Sequence, residues 1–538
     1  MKRRTRVVLI VAAVVVTLVS ASAWAAVTWA RNLEDAANTG KDQAEAGARS
    51  LAAEDATAAV SQFRAAAAAF TRAQDMLGPD WVGNAAGTIP WAARQYSAAK
   101  TLVAIGVDVS TAGAELSTVL QEGSAETTAS GSTRFGSLLA IGKDRIDSAL
   151  VSLGDAAERA AGLTEDGLDP RLAKAVRSLK DALSGVAPFL DRSQSLLALE
   201  RYLLSSQRRI LVISQNSAEL RPTGGFAGTY GILDLGPQGF SLEKYADVYT
   251  LPDSPGRVTP PPGARMTNDF GFRDANWWID FPTSARSMLG FWDQYGQKPV
   301  DGIIAIDVIT VRDLLGVFGP VTVPSYNATF TAQNLLGKLL YLLEVKFDGG
   351  PNKKGVLVAL ANELEQRMLS AGPSELARAA LVLATSADAK HAQFYFTVGD
   401  AEAAVEQAGW SGAIAPPEGT TDLLAVSNAM TKPGKVNIAM KKKAVYSVAL
   451  QPDGSAETTL VLSYTNTAPA SFSLSSSVFR DYLRVYRASG TVLTPSAAIS
   501  SSGATITVEN GLPVVVREFS LLRGASHTET IVTGVVVA

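Results

Sequence analysis

The residues best suited to chemistry are concentrated between Asn216 and Arg312, in a chain otherwise rich in alanine and valine. Arginine guanidinium groups bind phosphate oxygens through paired hydrogen bonds, and aspartates can hold a magnesium ion that bridges such oxygens. Tryptophan rings offer broad apolar faces of the kind that contact lipids or sugars. This combination predicts a site for a phosphorylated ligand with an apolar or sugar part.

The residue types in this region predict catalytic, metal-binding and substrate-binding roles. We expect Asp274 and Asp280 to be catalytic, and Asp274 and Asp301 to hold Mg²⁺. A structural interpretation stays open for each residue, because Arg–Asp pairs often fix loops, tryptophans fill cores and an Asp–Gly pair marks a turn. The expected substrate-binding residues are Asn216, Arg221, Arg273, Asn276, Trp277, Trp278, Arg286 and Arg312.

Composition excludes several other kinds of site. The 538-residue chain has no cysteine, which excludes disulfides, thiolate metal sites and cysteine nucleophiles. Its two histidines, His391 and His527, are far apart in sequence and leave little room for a zinc site or a histidine triad. A net charge of -3 argues against a nucleic-acid partner, which needs a basic face.

The N-terminus has the pattern of a membrane anchor. Four basic residues among the first six precede an uncharged apolar run from Val7 to Ala30, longer than the roughly 20 residues that span a bilayer. Because no comparable basic cluster follows, the N-terminus is expected in the cytoplasm and the bulk of the chain outside the cell membrane. A cleaved signal peptide ending near Ala21-Ser22-Ala23 is the alternative.

Periodicity divides the remainder into three domains. Residues 31–207 predict an Ala-rich helical bundle, with Phe63 and Phe70 on one heptad-spaced seam and a flexible link at Gly123–Thr133. Its expected role is that of a spacer above the membrane.

Residues 208–430 predict an α/β domain in which helices cover a sheet. The apolar run Ile210–Ser214 is typical of a buried strand, and the glycines that follow it lack dinucleotide-site spacing. Strand, helix and strand then succeed one another between residues 300 and 324, and DLLAVS is expected as the last strand of the domain.

Residues 431–538 predict a β-sandwich, Ig-like in character. About seven short segments have the two-residue period of half-buried strands, and turn signals such as Asn510-Gly511 separate some of them. Such a domain is more often a binding or packing module than a catalytic one.

Three stretches resemble the signature of a bacterial family of membrane-anchored envelope proteins whose domain has no known function. They are SQNSAELRPTGGFAGTYG, FRDANWWIDFPTSA and VDGIIAIDVITVRDLLGVFGPVTV, and the resemblance covers about residues 205–345. It carries no established activity.

The order of elements is also similar to that of the LytR–CpsA–Psr glycopolymer transferases, which move polymers from polyprenyl-pyrophosphate carriers to peptidoglycan. This resemblance implies a phosphate-gripping role for Arg221, a second Arg-Asp pair at Arg273-Asp274 and an apolar tunnel for the lipid. Gln215-Asn216 and Thr223-Gly224 stand where that family has aspartates. The departures put magnesium binding and transfer activity in doubt.

Together these expectations describe a single-pass extracytoplasmic envelope protein that binds or transfers polyprenyl-pyrophosphate-linked glycan. The alternative is a non-catalytic scaffold that engages an envelope protein through the helical bundle or the β-sandwich.

Overall fold

In a computed structural model, the described residues are 29–125, 131–184, 192–237, 239–252, 258–264, 270–347, 353–417, 421–472, 476–489, 491–492 and 504–535. They form two compact units. Of the described residues, the first unit comprises those up to Ser206 with segments 236–240 and 370–377, and the second comprises the others. The expected multidomain organisation with both helices and sheets is thereby confirmed. The anchor expected at Val7–Ala30 lies, up to residue 28, outside the described residues, and the domain limits stay predictions.

The first unit is helical, as its alanine-rich sequence predicts. The expected link Gly123–Thr133 falls partly on residues 126–130, which are not described. The helices are α1 (Trp29–Ala52), α2 (Ala56–Leu77), α3 (Asp80–Gly87), α4 (Pro90–Ala125), α5 (Gly131–Ala161), α6 (Pro170–Ser184) and α7 (Ser193–Ser205).

Two aromatic rings of α2 fit between glycines of its neighbours α1 and α4. A Cβ atom on Gly47 or Gly113 would approach the ring of Phe63 to 2.9 or 2.7 Å. Gly40 and Gly106 flank Phe70 in the same way, at 2.9 and 2.8 Å. All three pairs are seven residues apart, so a heptad repeat sets both the aromatic rings and the glycines that receive them.

One described helix is long and apolar enough to cross a membrane, by length and composition alone. It is the stretch Pro90–Gly123 of α4, and 67% of its most apolar window is buried within the protein. Leu102, Val103, Ile105 and Val109 of this helix belong to the core of the helical unit.

A five-stranded mixed sheet forms the centre of the second unit. Its order is β3-β2-β1-β4-β7, with β1 and β4 parallel and β2 and β7 antiparallel to their neighbours β1 and β4. The carboxyl ends of β1 and β4 therefore share one edge, where Gln215 pairs with Asp307. The strands are β1 (Arg208–Asn216), β2 (Phe226–Gly236), β3 (Gly239–Asp247), β4 (Gly302–Asp307) and β7 (Ala392–Phe396).

The strand expected after residue 320 does not join this sheet. β5 (Val321–Val323) pairs only with β6 (Ala328–Phe330), in a separate two-stranded hairpin. Pro324 lacks an N–H group and ends β5 after three residues, and Asn327 adopts a left-handed conformation at the turn (φ 45°). The expected strand–helix–strand order is thus correct, but it is not a crossover within one sheet.

The segments between and after these strands form further helices. Aspartates start two of them: Asp280 caps α8 through Thr283 N, and Asp307 caps α9 through Ile309 N. The helices are α8 (Phe281–Gln294), α9 (Val308–Phe318), α10 (Leu335–Tyr341), α11 (Gly355–Leu369), α12 (Pro373–Asp388) and α13 (Gly399–Gln407).

Two four-stranded antiparallel sheets enclose the C-terminal core, in the orders β12-β15-β10-β9 and β13-β14-β11-β8. Leu460 and Ile531 from one sheet share this core with Leu483 and Val515 from the other. The strands are β8 (Leu424–Met430), β9 (Met440–Leu450), β10 (Ala456–Asn466), β11 (Phe479–Arg487), β12 (Thr491–Val492), β13 (Thr505–Glu509), β14 (Leu512–Leu521) and β15 (Ser526–Val535).

Two local expectations are wrong in this region. The strand DLLAVS was expected in the α/β domain, but β8 pairs with β11 because its buried residues complete the C-terminal core. The expected strand at residues 435–440 is mostly a 3₁₀ turn at Val436–Ala439.

Candidate functional site

The stretch that follows residue 270 is fixed to the loop between β1 and β2 by Asn276. Its fully buried Nδ2 donates to Gly225 O at 2.7 Å and lies 3.1 Å from both Gln215 Oε1 and Thr223 Oγ1. Only glycine fits at position 225, because a Cβ atom there would collide with the backbone of Asn216. Asn276 thus has a structural task at the edge where β1 and β4 end.

Arg221 lies in the same region but is buried, with 2% of its surface exposed. Its Nη1 donates to Leu220 O and Met430 O, both at 3.1 Å, and its Nη2 donates to Glu219 Oε1 at 3.1 Å. The other oxygen of Glu219 accepts a hydrogen bond from Lys435 Nζ at 2.7 Å. These bonds tie the β1–β2 loop to the end of β8.

The exposed ring of Tyr249 lies next to two cations, and we call Asp247, Tyr249, Arg273, Asp274 and Lys354 the Tyr249 cluster. Tyr249 is 61% exposed, with Lys354 Nζ 4.6 Å and Arg273 Cζ 5.3 Å from its ring centroid. Lys354 Nζ also donates to Asp247 Oδ1 at 2.7 Å, and Arg273 Nε lies 3.5 Å from Asp274 Oδ2. Both cations are partly exposed.

Burial affects the ionisable groups of this cluster. It lowers the pKa of Lys354, and the carboxylate of Asp247 opposes that shift. Partial burial of its hydroxyl end raises the pKa of Tyr249, against the charge of Arg273. Both cations lie close to the exposed ring of Tyr249.

Asp280 is occupied as a helix cap. Its Oδ2 accepts hydrogen bonds from Thr283 N at 2.9 Å and from Thr283 Oγ1 at 2.5 Å, and its Oδ1 accepts one from Ile414 N at 3.0 Å. Arg286 Nη2 lies 4.0 Å away, at an exposed position beside the ring of Tyr395. The predicted catalytic role of Asp280 is untested, and three donors already engage its carboxylate.

The two tryptophans have different surroundings. Trp277 is buried against Tyr482 of β11, with ring centroids 5.6 Å apart, and Arg484 Nη2 donates to its carbonyl oxygen at 2.5 Å. This residue joins the central sheet region to the two-sheet domain. Trp278 is half-buried and faces an open groove.

The groove is apolar and has a volume of about 360 Å³. No described atom lies within 4 Å of where a Cβ atom on Gly290 would stand, so a side chain at that position would project into open space. Arg273 and Asp274 fall in sequence between two groove residues, Phe270 and Trp278, so one short loop serves both the groove and the Tyr249 cluster. The lining residues are Val258, Thr259, Pro261, Phe270, Trp278, Ser287, Gly290, Phe291 and Gln294.

Asp301 is not brought to Asp274, so this pair does not fit a magnesium site. Asp301 precedes β4, and its Oδ2 accepts a hydrogen bond from Arg209 N at 2.7 Å beside the start of β1. Asp274 belongs to the opposite edge, roughly 20 Å away along strands that rise about 3.3 Å per residue. Among the described residues, no three His, Asp or Glu side chains are placed to share a metal ion.

Two further predicted residues also lie outside the cluster. Arg312 pairs with its neighbour Asp313 on the exposed side of α9, with Nε 2.9 Å from Oδ1. Asn216 Oδ1 accepts a hydrogen bond from Ala218 N and shapes the turn after β1. Neither contact indicates a ligand.

Sequence reasoning missed Tyr249 and Lys354. Tyr249 belongs to a short turn after β3, and Lys354 immediately precedes α11, about 80 residues after Arg273. Neither residue is part of a motif. Only the fold, which brings both segments to the carboxyl edge of β1, identifies them.

Comparison with known proteins finds a match in the central part of the sequence. Residues 205–341 match the family model described as "Protein of unknown function (DUF4012)". The expected resemblance to a family without known function is confirmed over this DUF4012 stretch, whereas the similarity to LytR–CpsA–Psr transferases stays a prediction. No curated protein and no solved structure matches the chain.

Proposed function

We propose that this chain is a membrane-anchored extracytoplasmic envelope protein that binds a polyprenyl-pyrophosphate-linked glycan without transferring it. The observation that carries the proposal is the Tyr249 cluster, in which Arg273 and Lys354 lie next to an exposed ring and Arg273 belongs to the same loop as the groove residues Phe270 and Trp278. The cations would bind the pyrophosphate, and the groove with Trp278 would take the apolar chain. Arg221, expected to bind phosphate, instead fixes the β1–β2 loop.

Binding without transfer is favoured because two carboxylates predicted to act in catalysis or metal binding make structural contacts instead. Asp280 caps a helix, Asp301 lies at the far edge of the sheet, and Gln215 and Asn216 follow the pattern of a degenerate transferase. In this proposal the central sheet region has a LytR–CpsA–Psr-like fold, and the C-terminal two-sheet domain is an Ig-like interaction module. The basic N-terminal tip and the run Val7–Ala30 would anchor the chain.

Retention of polyprenyl pyrophosphate by the full chain in detergent, measured by native mass spectrometry, tests the proposal. Arg273→Ala and Lys354→Ala should each weaken binding about tenfold, the effect of losing one charge-assisted hydrogen bond of roughly 1.5 kcal/mol. Arg312→Ala, which removes an exposed arginine elsewhere, should leave binding unchanged.

The groove is tested separately by Gly290→Leu. The new side chain should enter the groove and displace the apolar chain, whereas Gly337→Leu adds the same side chain on α10, also into open space. Reduced retention by Gly290→Leu but not by Gly337→Leu supports the assignment. Equal retention by wild type, Arg273→Ala, Lys354→Ala and Gly290→Leu would reject it.

A non-catalytic scaffold is the second candidate. It is favoured by the close junction at Trp277 and Arg484, which joins two domains into one unit and needs no ligand. Crosslinking that recovers one defined envelope protein, unaffected by Arg273→Ala and Lys354→Ala together, would support this role over glycan binding.

A further inference from the structure

β9 is a long edge strand whose second side pairs with no described strand. It pairs with β10 without interruption from Met440 to Leu450 and ends the order of its sheet. No proline interrupts it, so its outer side offers a continuous row of N–H and C=O groups. Such an edge is a ready template for another strand.

The side chains of β9 do not protect this edge along its whole length. Lys441, Lys442 and Lys443 occupy its first third, and no acidic residue is present. The rest is uncharged and mostly exposed, with Val445 44% and Leu450 80% accessible. Soluble proteins usually protect an edge with charges, prolines or bulges, so the unprotected part indicates an interaction surface.

We propose that β9 pairs antiparallel with β9 of a second copy of this chain, with the two Val445 residues opposite each other. Two four-stranded sheets would then form one eight-stranded sheet about a twofold axis. The two-fold arrangement is the commonest for homo-oligomers, and it uses the same patch on both copies.

Strand parity and full overlap of the two strands together fix this register. Odd-numbered residues of β9 point away from the core, and a continuous sheet must keep outward residues opposite outward residues. Pairing centred on Val445 meets this condition and uses all eleven residues. About ten backbone hydrogen bonds would form, the number that a typical protein–protein interface carries.

The charge pattern favours a second copy in this orientation. Lys441 of one copy would lie opposite Ala449 of the other, and Lys443 opposite Ser447, so no lysine faces a lysine. Glu457 on β10 pairs with Ala449, and its carboxylate would lie one strand away from the incoming Lys441. A parallel arrangement would instead place the two lysine triplets side by side, which is unfavourable.

A single introduced thiol tests the register, because the chain contains no cysteine. Val445→Cys would place two thiols directly opposite, with Cβ atoms about 5 Å apart. Ser447→Cys is the matched control: it lies on the same strand and face, but its counterpart is four positions along, at about 13 Å. The readout is the disulfide-linked dimer of the purified full chain after mild oxidation.

Val445→Cys should yield at least fivefold more linked dimer than Ser447→Cys. Sedimentation of the wild-type chain should show a dimer that Val445→Lys dissociates, because two lysines would then face each other. Val508→Lys, on the exposed edge strand β13, should have no such effect. Equal linkage of both cysteine variants, a monomeric wild type at micromolar concentrations, or a dimer insensitive to Val445→Lys would each overturn the proposal.

Discussion

The guanidinium of Arg221 is held on several sides, by Glu219 Oε1, Leu220 O and Met430 O. Lys435 satisfies the other oxygen of Glu219, so the three charges form one buried network. Removing one member of such a network leaves another charge without compensation inside the protein. At the residue scale, Arg221 therefore contributes to the position of a loop and not to a surface that a ligand can reach.

Arg221→Ala should lower the free energy of unfolding by about 3–5 kcal/mol, the usual cost of breaking a buried ion pair. Arg312→Ala removes an exposed arginine and should change it by less than about 0.5 kcal/mol. Denaturant unfolding of the full chain measures both. Loss of lipid binding by Arg221→Ala with unchanged stability would contradict the structural role.

We expect Asp481 to make the stability of the two-sheet domain depend on pH. It is fully buried, its Oδ2 accepts a hydrogen bond from Asn428 Nδ2 at 2.5 Å, and burial raises its pKa to about 7 against the charge of Lys442. Between its unfolded pKa near 4 and about 7, the folded state binds a proton that the unfolded state has lost. Stability should therefore fall as pH rises through this window, by up to about 1.4 kcal/mol per pH unit.

Asp481→Asn keeps the neutral shape of the side chain and should flatten this dependence, so that the variant is the more stable protein at pH 8. Denaturant midpoints measured between pH 5 and pH 8 provide the test. A wild type that gains stability over this range, or a variant with an unchanged slope, would show that Asp481 does not control it.

At the scale of elements, the close packing of α1, α2 and α4 rests on glycines that receive the rings of Phe63 and Phe70. The heptad spacing predicts that both rings are buried, and they are. The glycine partners could not be predicted, because they come from two other helices and only tertiary packing sets their register. The same reason explains β8: its sequence predicts a strand, but the choice of sheet depends on a partner about 50 residues later.

Gly113→Ala should destabilise the helical unit, because the new methyl group would lie 2.7 Å from the ring of Phe63 and force the helices apart. A loss of about 1–3 kcal/mol is typical of overpacking. Gly154→Ala on α5 meets no atom within 4 Å and should stabilise by up to about 1 kcal/mol through helix propensity alone. Thermal unfolding followed by circular dichroism distinguishes the two; equal effects would contradict the close fit.

At the scale of the whole molecule, the central sheet region and the C-terminal domain belong to one unit. Trp277 and Arg484 join them, together with the bonds from Arg221 to Met430 and from Asn437 to Ser217. The sequence alone shows that the stretch around Trp277 is unusual, because arginines, aspartates and tryptophans are concentrated there. It could not separate ligand contacts from domain contacts, because both use the same residue types.

Trp277→Ala should remove about 3–5 kcal/mol of stability, as expected for a large buried aromatic residue. Because the lost contacts lie between domains, the sheet region and the two-sheet domain should then unfold separately. Calorimetry should show one transition for this unit in the wild type and two in the variant. A single transition at lower temperature would place the effect within one domain.

Trp277 and Trp278 are adjacent in the chain, yet one supports the junction between domains and the other borders the open groove. A peptide bond links their backbones, although each ring can turn about its own side-chain bonds. An occupant of the groove that fixed the backbone at Trp278 would therefore also restrict the backbone at Trp277, and by thermodynamic reciprocity a firmer junction would then raise the affinity for that occupant. Filling a cavity in one domain would in that case regulate how rigidly the neighbouring domain is held.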